Sequence, residues 1–241
     1  MYYAGGMSAR TVDWAARRTG EPGAEGLRER KKRLMRQQLS DTATEMFLER
    51  GFDAVRVAEI AEACGVSEKT VFNYFPSKES LILDHPDTAL AALRADLAEP
   101  GVSPAEATLR ILAQERAAVF SWLAEQEDPG EAITKSRRFG LLIATTPALR
   151  AHRLEMTEQL VVVAAEALAE RTGCTPEDPE PRVLATALVA LWQIQFRSMA
   201  KHLDVTRTPE SIEEAVAADV GRAARLVVAG IEALPRFAGE A

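Results

Sequence analysis

The sequence predicts an all-α protein, on three observations. Apolar residues recur at helical spacing, and Val57, Ile60, Ala61 and Cys64 at i, i+3, i+4 and i+7 are the tightest case. A longer stripe of the same kind, Ile212, Ala215, Val216, Val220, Ala223, Val227 and Ile231, runs near the C-terminus. Helix-opening pairs, Ser103-Pro104, Thr146-Pro147 and Thr208-Pro209, punctuate the chain between such stripes. With 241 residues, 47% of them hydrophobic and 27% charged, there is material for a buried core and one or two domains.

Residues 1–26 read as a disordered, basic N-terminal arm, with Gly5-Gly6, Gly20 and Gly23 and little apolar periodicity. The first firm helix is expected over Leu27 to Arg50, with Leu39, Ala43, Met46 and Phe47 as its buried stripe and Gly51 as its end. Phe52 and Val55 then pack beneath the next segment. There the 57–64 stripe ends at Gly65, where a helix C-terminus needs a residue tolerant of positive φ. Ser67 suits the N-cap of a second short helix, with Glu68 in its first turn. This second helix buries Val71 and Phe75 and leaves Lys69, Thr70, Asn73 and Tyr74 pointing outward. Two short helices around a tight turn make a helix-turn-helix, whose second helix reads the DNA major groove. Lysine, threonine and tyrosine reach phosphate oxygens, and asparagine pairs best with adenine.

A fourth helix is expected from about Lys78, capped by Ser77, interrupted by Pro86, resumed through Leu90, Leu93 and Leu97, and stopped at Pro100-Gly101. The next, opened by Ser103-Pro104, buries Leu109, Leu112, Phe120 and Leu123. Pro129-Gly130 precede a segment over Glu131 to Ala144, and Thr146-Pro147 start a long helix to about Arg171. Gly173 to Pro181, with three prolines, reads as a loop. The helix from Arg182 to Leu203 is apolar nearly all round, the pattern of a helix buried on both sides. With the 212–231 stripe it predicts a four-helix interface with a second copy, through Leu184, Leu188, Leu191, Val216, Val220 and Val227.

Three runs of residues carry a family resemblance: Leu39-x3-Ala43-x3-Phe47-x3-Gly51-Phe52, then Ile60-Ala61-x3-Gly65-Val66-Ser67, then Thr70-x3-Tyr74-Phe75-x-Ser77-Lys78-Glu79-x-Leu81. Over Leu27 to Leu83 the chain resembles the TetR family of transcriptional regulators. The resemblance implies a helix-turn-helix DNA-binding domain, residues 27–83, and a helical ligand-binding and dimerisation domain, residues 84–241. It implies a homodimer on a palindromic double-stranded DNA operator, released by a small hydrophobic effector. One position departs: Arg56 stands where the family usually has threonine, so a capping hydroxyl is lost and a longer cation is offered to phosphate. The expected DNA contacts are Arg30, Lys31, Arg56, Ser67, Lys69, Thr70, Asn73, Tyr74 and Lys78. Arg28, Lys32, Arg33 and Arg36 widen the basic cluster at the start of the first helix.

The formal net charge of −7 is unevenly spread. Residues 1–83 hold 13 basic and 12 acidic side chains, a balance of +1, and the remainder holds 16 and 24, a balance of −8. The acid therefore sits in the second part, and salt screens it beyond about 10 Å. The two cysteines, Cys64 and Cys174, and the lack of a signal-like apolar run in the first 26 residues point to the reducing cytoplasm. The longest apolar stretch, Val183 to Leu191, is too short to span a bilayer, so no membrane is expected.

An enzyme is not expected. His85, His152 and His202 lack metal-ligand spacing, no glycine-rich phosphate loop is present, and there is no GxSxG elbow. No catalytic residue, metal or cofactor is assigned. Phe120, Trp122, Phe139, Trp192, Gln193, Phe196 and Met199 are candidates to line an apolar effector pocket between helices. Gln193 and Gln195 stand out on so apolar a helix, since a buried amide needs a partner. Arg137-Arg138-Phe139 through Thr146-Pro147-Ala148-Leu149-Arg150, with the helix ending Ala169-Glu170-Arg171-Thr172-Gly173, is similar to a TetR subgroup that recognises acyl-CoA-like ligands. Arg137 and Arg138 would then meet an anionic head, because the arginine fork binds two phosphate oxygens at once. The expectation is a ligand-responsive repressor. The alternatives are an activator or ligand-independent regulator, and a helical small-molecule-binding protein that does not use DNA.

Overall fold

The computed structural model describes residues 26–84, 87–99 and 101–232. The N-terminal arm to residue 25 and the expected breaks at Pro86 and Pro100 lie outside the described residues. Among the described residues there are nine α-helices and no strand: α1 Leu27–Arg50, α2 Val57–Ala63, α3 Glu68–Tyr74, α4 Asp87–Leu97, α5 Pro104–Ala124, α6 Pro129–Thr145, α7 Pro147–Thr172, α8 Pro179–His202 and α9 Pro209–Glu232, with a 3-10 turn at Glu79–Leu81.

The chain divides into two compact units. The first comprises residues 1–85 and 135–154, the second residues 86–134 and 155–241. The first unit takes in a segment of α6 and α7 that the sequence pattern assigns to the second domain. Two hydrogen bonds explain that placement: Arg138 Nη2 donates to the Leu48 carbonyl at 2.7 Å, and His152 Nε2 donates to the Leu83 carbonyl at 3.0 Å.

In the first unit α1 packs on α2 and on the 3-10 turn, and α2 on α3. Its core is Leu39, Ala43, Phe47, Phe52, Val55, Ile60, Val71, Phe75 and Leu81, each below 5% exposed. Fully burying a large side chain of this kind contributes about 1.5–3 kcal/mol. Where a fourth helix was expected from Lys78 there is a single 3-10 turn. Ser77 and Ser80 cap each other, each backbone N–H donating to the other's hydroxyl at 3.1 Å. Ser40 Oγ donates at 2.7 Å to the Leu81 carbonyl, an acceptor that a continuing helix would need for itself.

In the second unit α8 runs along α9, α5 packs on both, and α4 packs on α5. Leu112, Phe120 and Leu123 of α5 meet Leu191 of α8 and Ile212, Val216 and Val220 of α9. Helix α8 begins at Pro179, inside the expected loop, because proline at the first helical position gives up only an N–H that has no intrahelical partner. By length and composition α8 would pass for a membrane span, but Leu184, Ala185, Leu188, Val189 and Leu191 are buried in this unit. Arg171 donates to the carbonyls of Glu99 at 2.9 Å and Val102 at 2.7 Å, tying the α4–α5 connection to the end of α7.

Candidate DNA interface

The turn between α2 and α3 is set by one glycine. Gly65 takes φ +67°, and its N–H donates to Glu62 O at 3.0 Å while Val66 N–H reaches back to Ala61 O at 2.9 Å. These are the paired bonds of a Schellman ending, which a residue with a Cβ would strain. Ser67 then caps α3: its Oγ accepts from Thr70 N–H at 3.1 Å and shares a hydrogen bond with Thr70 Oγ1 at 2.8 Å. Val71 and Phe75 anchor the other side of α3 at 1% and 2% exposure. Lys69, Phe72 and Asn73 are thereby presented on one exposed face, spaced i, i+3 and i+4.

Arg56 opens α2 with its side chain 82% exposed. Arginine has no acceptor, so it cannot cap the helix as a hydroxyl would. Glu59 supplies the other half of a capping box, accepting from Arg56 N–H at 2.8 Å and pairing with Arg50 Nη2 at 2.7 Å. The Arg50 hydrogen bond, then the Arg56 N–H, hold the Glu59 carboxyl down at about 2. The guanidinium of Arg56, its Nε 3.5 Å from Glu59 Oε2, stays at the surface. Arg30 and Lys31 are also exposed, together with Arg28 and Lys32.

Three expected phosphate contacts are placed differently. Lys78 turns inward: its ammonium donates to the Phe52 carbonyl at 2.5 Å and lies 4.3 Å from the Phe52 ring centroid and 5.5 Å from that of Phe47. Burial pulls its pKa below the ordinary lysine value. A cation–π site plus a buried carbonyl outcompetes solvent here, so Lys78 ties the post-α1 loop rather than extending outward. Arg36 likewise donates to the Tyr74 carbonyl at 2.5 Å, pairs with Asp84 and lies 4.3 Å over the Phe75 ring, clamping the end of α3. Tyr74 itself is half-buried.

The expected effector residues are divided between the two units. Phe120 is core, and Trp122, Trp192 and Met199 pack against the same cluster in the second unit. Arg137, Arg138 and Phe139 belong to the first unit, where Arg138 is committed to the Leu48 carbonyl and Phe139 is buried. Gln193 is exposed and Phe196 half-buried. Gln195 is the buried amide, accepting from Arg116 Nη1 at 3.3 Å. Beside it, Glu115 accepts from Trp192 Nε1 at 3.0 Å, and burial pushes its carboxyl up to about 7.

The expected dimer residues Leu184, Leu188, Leu191, Val216 and Val220 are at most 5% exposed within a single chain, and Val227 is half-buried. Their stripe faces the chain's own core. An open apolar groove of about 580 Å³ lies instead between the start of α8 and the end of α9, lined by Val183, Ala187, Leu226 and Gly230, with Leu184 and Val227 at its floor. Periodicity alone missed Phe72, Glu115 and this groove. The signal for Phe72 was present, since a large ring adjoining Asn73 cannot share the buried side of α3 with Val71 and Phe75.

Residues 39–84 match the model of bacterial regulatory proteins of the tetR family, and residues 109–220 match the MftR C-terminal domain. The chain is 32% identical over 179 residues to the HTH-type transcriptional regulator TcmR of Streptomyces glaucescens, covering 73% of this chain and 77% of TcmR. It is 28% identical over 153 residues to MftR of Mycobacterium tuberculosis, a protein named for transcriptional regulation of mycofactocin biosynthesis, covering 64% of this chain and 73% of MftR. To the HTH-type transcriptional regulator LuxR of Vibrio harveyi it is 49% identical over 47 residues, 20% of this chain and 23% of LuxR.

Proposed function

The chain belongs to the TetR family of bacterial transcriptional regulators, and on that premise we propose that it is an effector-released repressor acting in the cytoplasm as a homodimer on a palindromic operator. The observation that carries the DNA reading is the α3 face, where Lys69, Phe72 and Asn73 stand exposed on a helix pinned from behind by Val71 and Phe75. Two copies present two such faces, and a two-fold dimer demands a two-fold operator.

The dimer forms through the open flanks of α8 and α9. Val183, Ala187 and Ala190 follow i, i+4 and i+7 along α8, and Ala215, Ala218, Leu226 and Ala229 line α9; none of them is buried. Val183 is 67% and Leu226 79% exposed. Small residues let helices approach to 8–10 Å between axes, and the two large side chains seat in the apolar groove of the second copy.

The effector is a hydrophobic molecule with an anionic end, with a fatty acyl-CoA as the leading candidate. The support is the sequence similarity over residues 130–205 together with exposed Arg137. Effector and operator are linked by a coupling free energy of about 1–3 kcal/mol. A gel shift with the DNA flanking the chain's own gene tests the reading. Specific retardation, relieved by long-chain acyl-CoA and less by the free fatty acid, supports it. No specific retardation leaves a helical binding protein, and promoter activation on binding makes it an activator.

A further inference from the structure

We infer that Phe72 is a specificity-determining residue that reads a thymine through its methyl group, next to an adenine read by Asn73. The inference rests on the proposed DNA reading and adds a base identity to it.

Phe72 is 46% exposed on a helix whose other large apolar residue, Val71, is 1% exposed. An isolated exposed ring is unremarkable on a protein surface, but this one lies on the face that carries Lys69 and Asn73. Its neighbours on α3 divide the tasks. The hydroxyls of Ser67 and Thr70 are engaged with each other in the N-cap. Lys69 is a flexible cation suited to a phosphate. Asn73, whose amide makes no hydrogen bond among the described residues, suits adenine N6 and N7.

The phenyl ring has no donor or acceptor, and leaving a base edge unpaired against it would be costly. In the major groove the one apolar feature on a base edge is the thymine C5 methyl, so the ring fits a thymine and rejects cytosine, which offers an amino donor instead. Consecutive Cα atoms are about 3.8 Å apart and consecutive bases about 3.4 Å, so Phe72 and Asn73 address the same or adjacent base pairs. The half-site therefore has an A·T step at the centre of the α3 footprint.

The test selects bound duplexes from a random-sequence library with the full chain, then replaces each thymine of the recovered half-site singly by deoxyuridine, which deletes the methyl and nothing else. The expected result is one position where deoxyuridine weakens binding about fourfold, the factor that burying one methyl carbon corresponds to. With Phe72→Ala that position becomes indifferent to deoxyuridine. The recovered half-site should carry adenine at the same or the adjacent pair. Deoxyuridine with no effect anywhere on the wild-type chain overturns the inference without any variant having to fold. So does an equal loss in Phe72→Ala, or a Phe72→Ala defect that is uniform over all sequences, which marks a sugar contact. Those results leave the DNA reading standing, whereas a library in which no sequence is enriched overturns both.

Discussion

At the residue scale, two side chains of opposite character carry most of the chemistry. Asn73 is exposed on α3, and its proposed role is to read a base through hydrogen bonds. Asn73→Ala should weaken specific binding by about 1–3 kcal/mol and leave random DNA almost unaffected, measured by competition against nonspecific duplex. Equal affinity of variant and wild type for operator would remove Asn73 as a reader. Glu115 is the opposite case, an enclosed carboxyl on α5 beside the Trp192 indole. Its pKa rises from 4.5 to about 7, chiefly through burial, with the Trp192 hydrogen bond pulling the other way. The folded chain therefore holds a proton that the unfolded chain gives up. The stability that this one carboxyl contributes is full below about pH 4.5, declines as pH rises from 4.5 to 7, and levels off above. Glu115→Gln keeps an acceptor for Trp192 and removes the ionisation. It should match the wild type near pH 4.5 and exceed it at pH 8 by about 1–3 kcal/mol in urea unfolding. A pH-independent difference would refute that account.

At the element scale, each short helix depends on its ends more than on its length. Helices α2 and α3 have seven residues each, below what is stable in isolation. Ser67 Oγ gives the first-turn Thr70 N–H of α3 a second acceptor at 3.1 Å beside the Ser67 carbonyl at 2.9 Å. Ser67→Ala should cost about 1 kcal/mol, read as a lower denaturant midpoint with an unchanged slope. Helix α2 has lost the equivalent hydroxyl to Arg56 and is held by Glu59 reaching back instead. The departure at Arg56 thus exchanges an N-cap for an exposed cation, and the Arg50–Glu59 pair fixes the carboxylate that replaces the cap.

At the scale of the whole molecule, the two long C-terminal helices each have one face buried in the chain's own core and one left exposed. Leu188 is 1% exposed inside one chain, so Leu188→Glu should unfold the second unit by burying an unpaired charge. Leu226 is 79% exposed, so Leu226→Arg leaves one chain folded. Sedimentation of Leu226→Arg should show a monomer of native helical content with collapsed operator affinity, because a half-site alone supplies half the contacts. A dimer that survives Leu226→Arg together with Val183→Arg would place the interface elsewhere.

The positions of α1, α2 and α3 and the glycine turn between the last two were determined by the sequence alone, because they follow from local physics. The 57–64 stripe, Gly65 and Ser67 act over a few residues, and α1 begins at Leu27 and ends at Arg50 as its pattern requires. What the sequence left open was decided by contacts distant along the chain. Leu188 and Val220 read equally well as interface or core, since a stripe says that a face is buried without saying against what. Lys78 and Arg36 read as phosphate contacts until the Phe52 and Tyr74 carbonyls, 26 and 38 residues away, took them inward. Arg138 likewise reads as an anion site but is held by Leu48, 90 residues earlier. A charged side chain goes where its donors find acceptors, and only the tertiary structure places those acceptors.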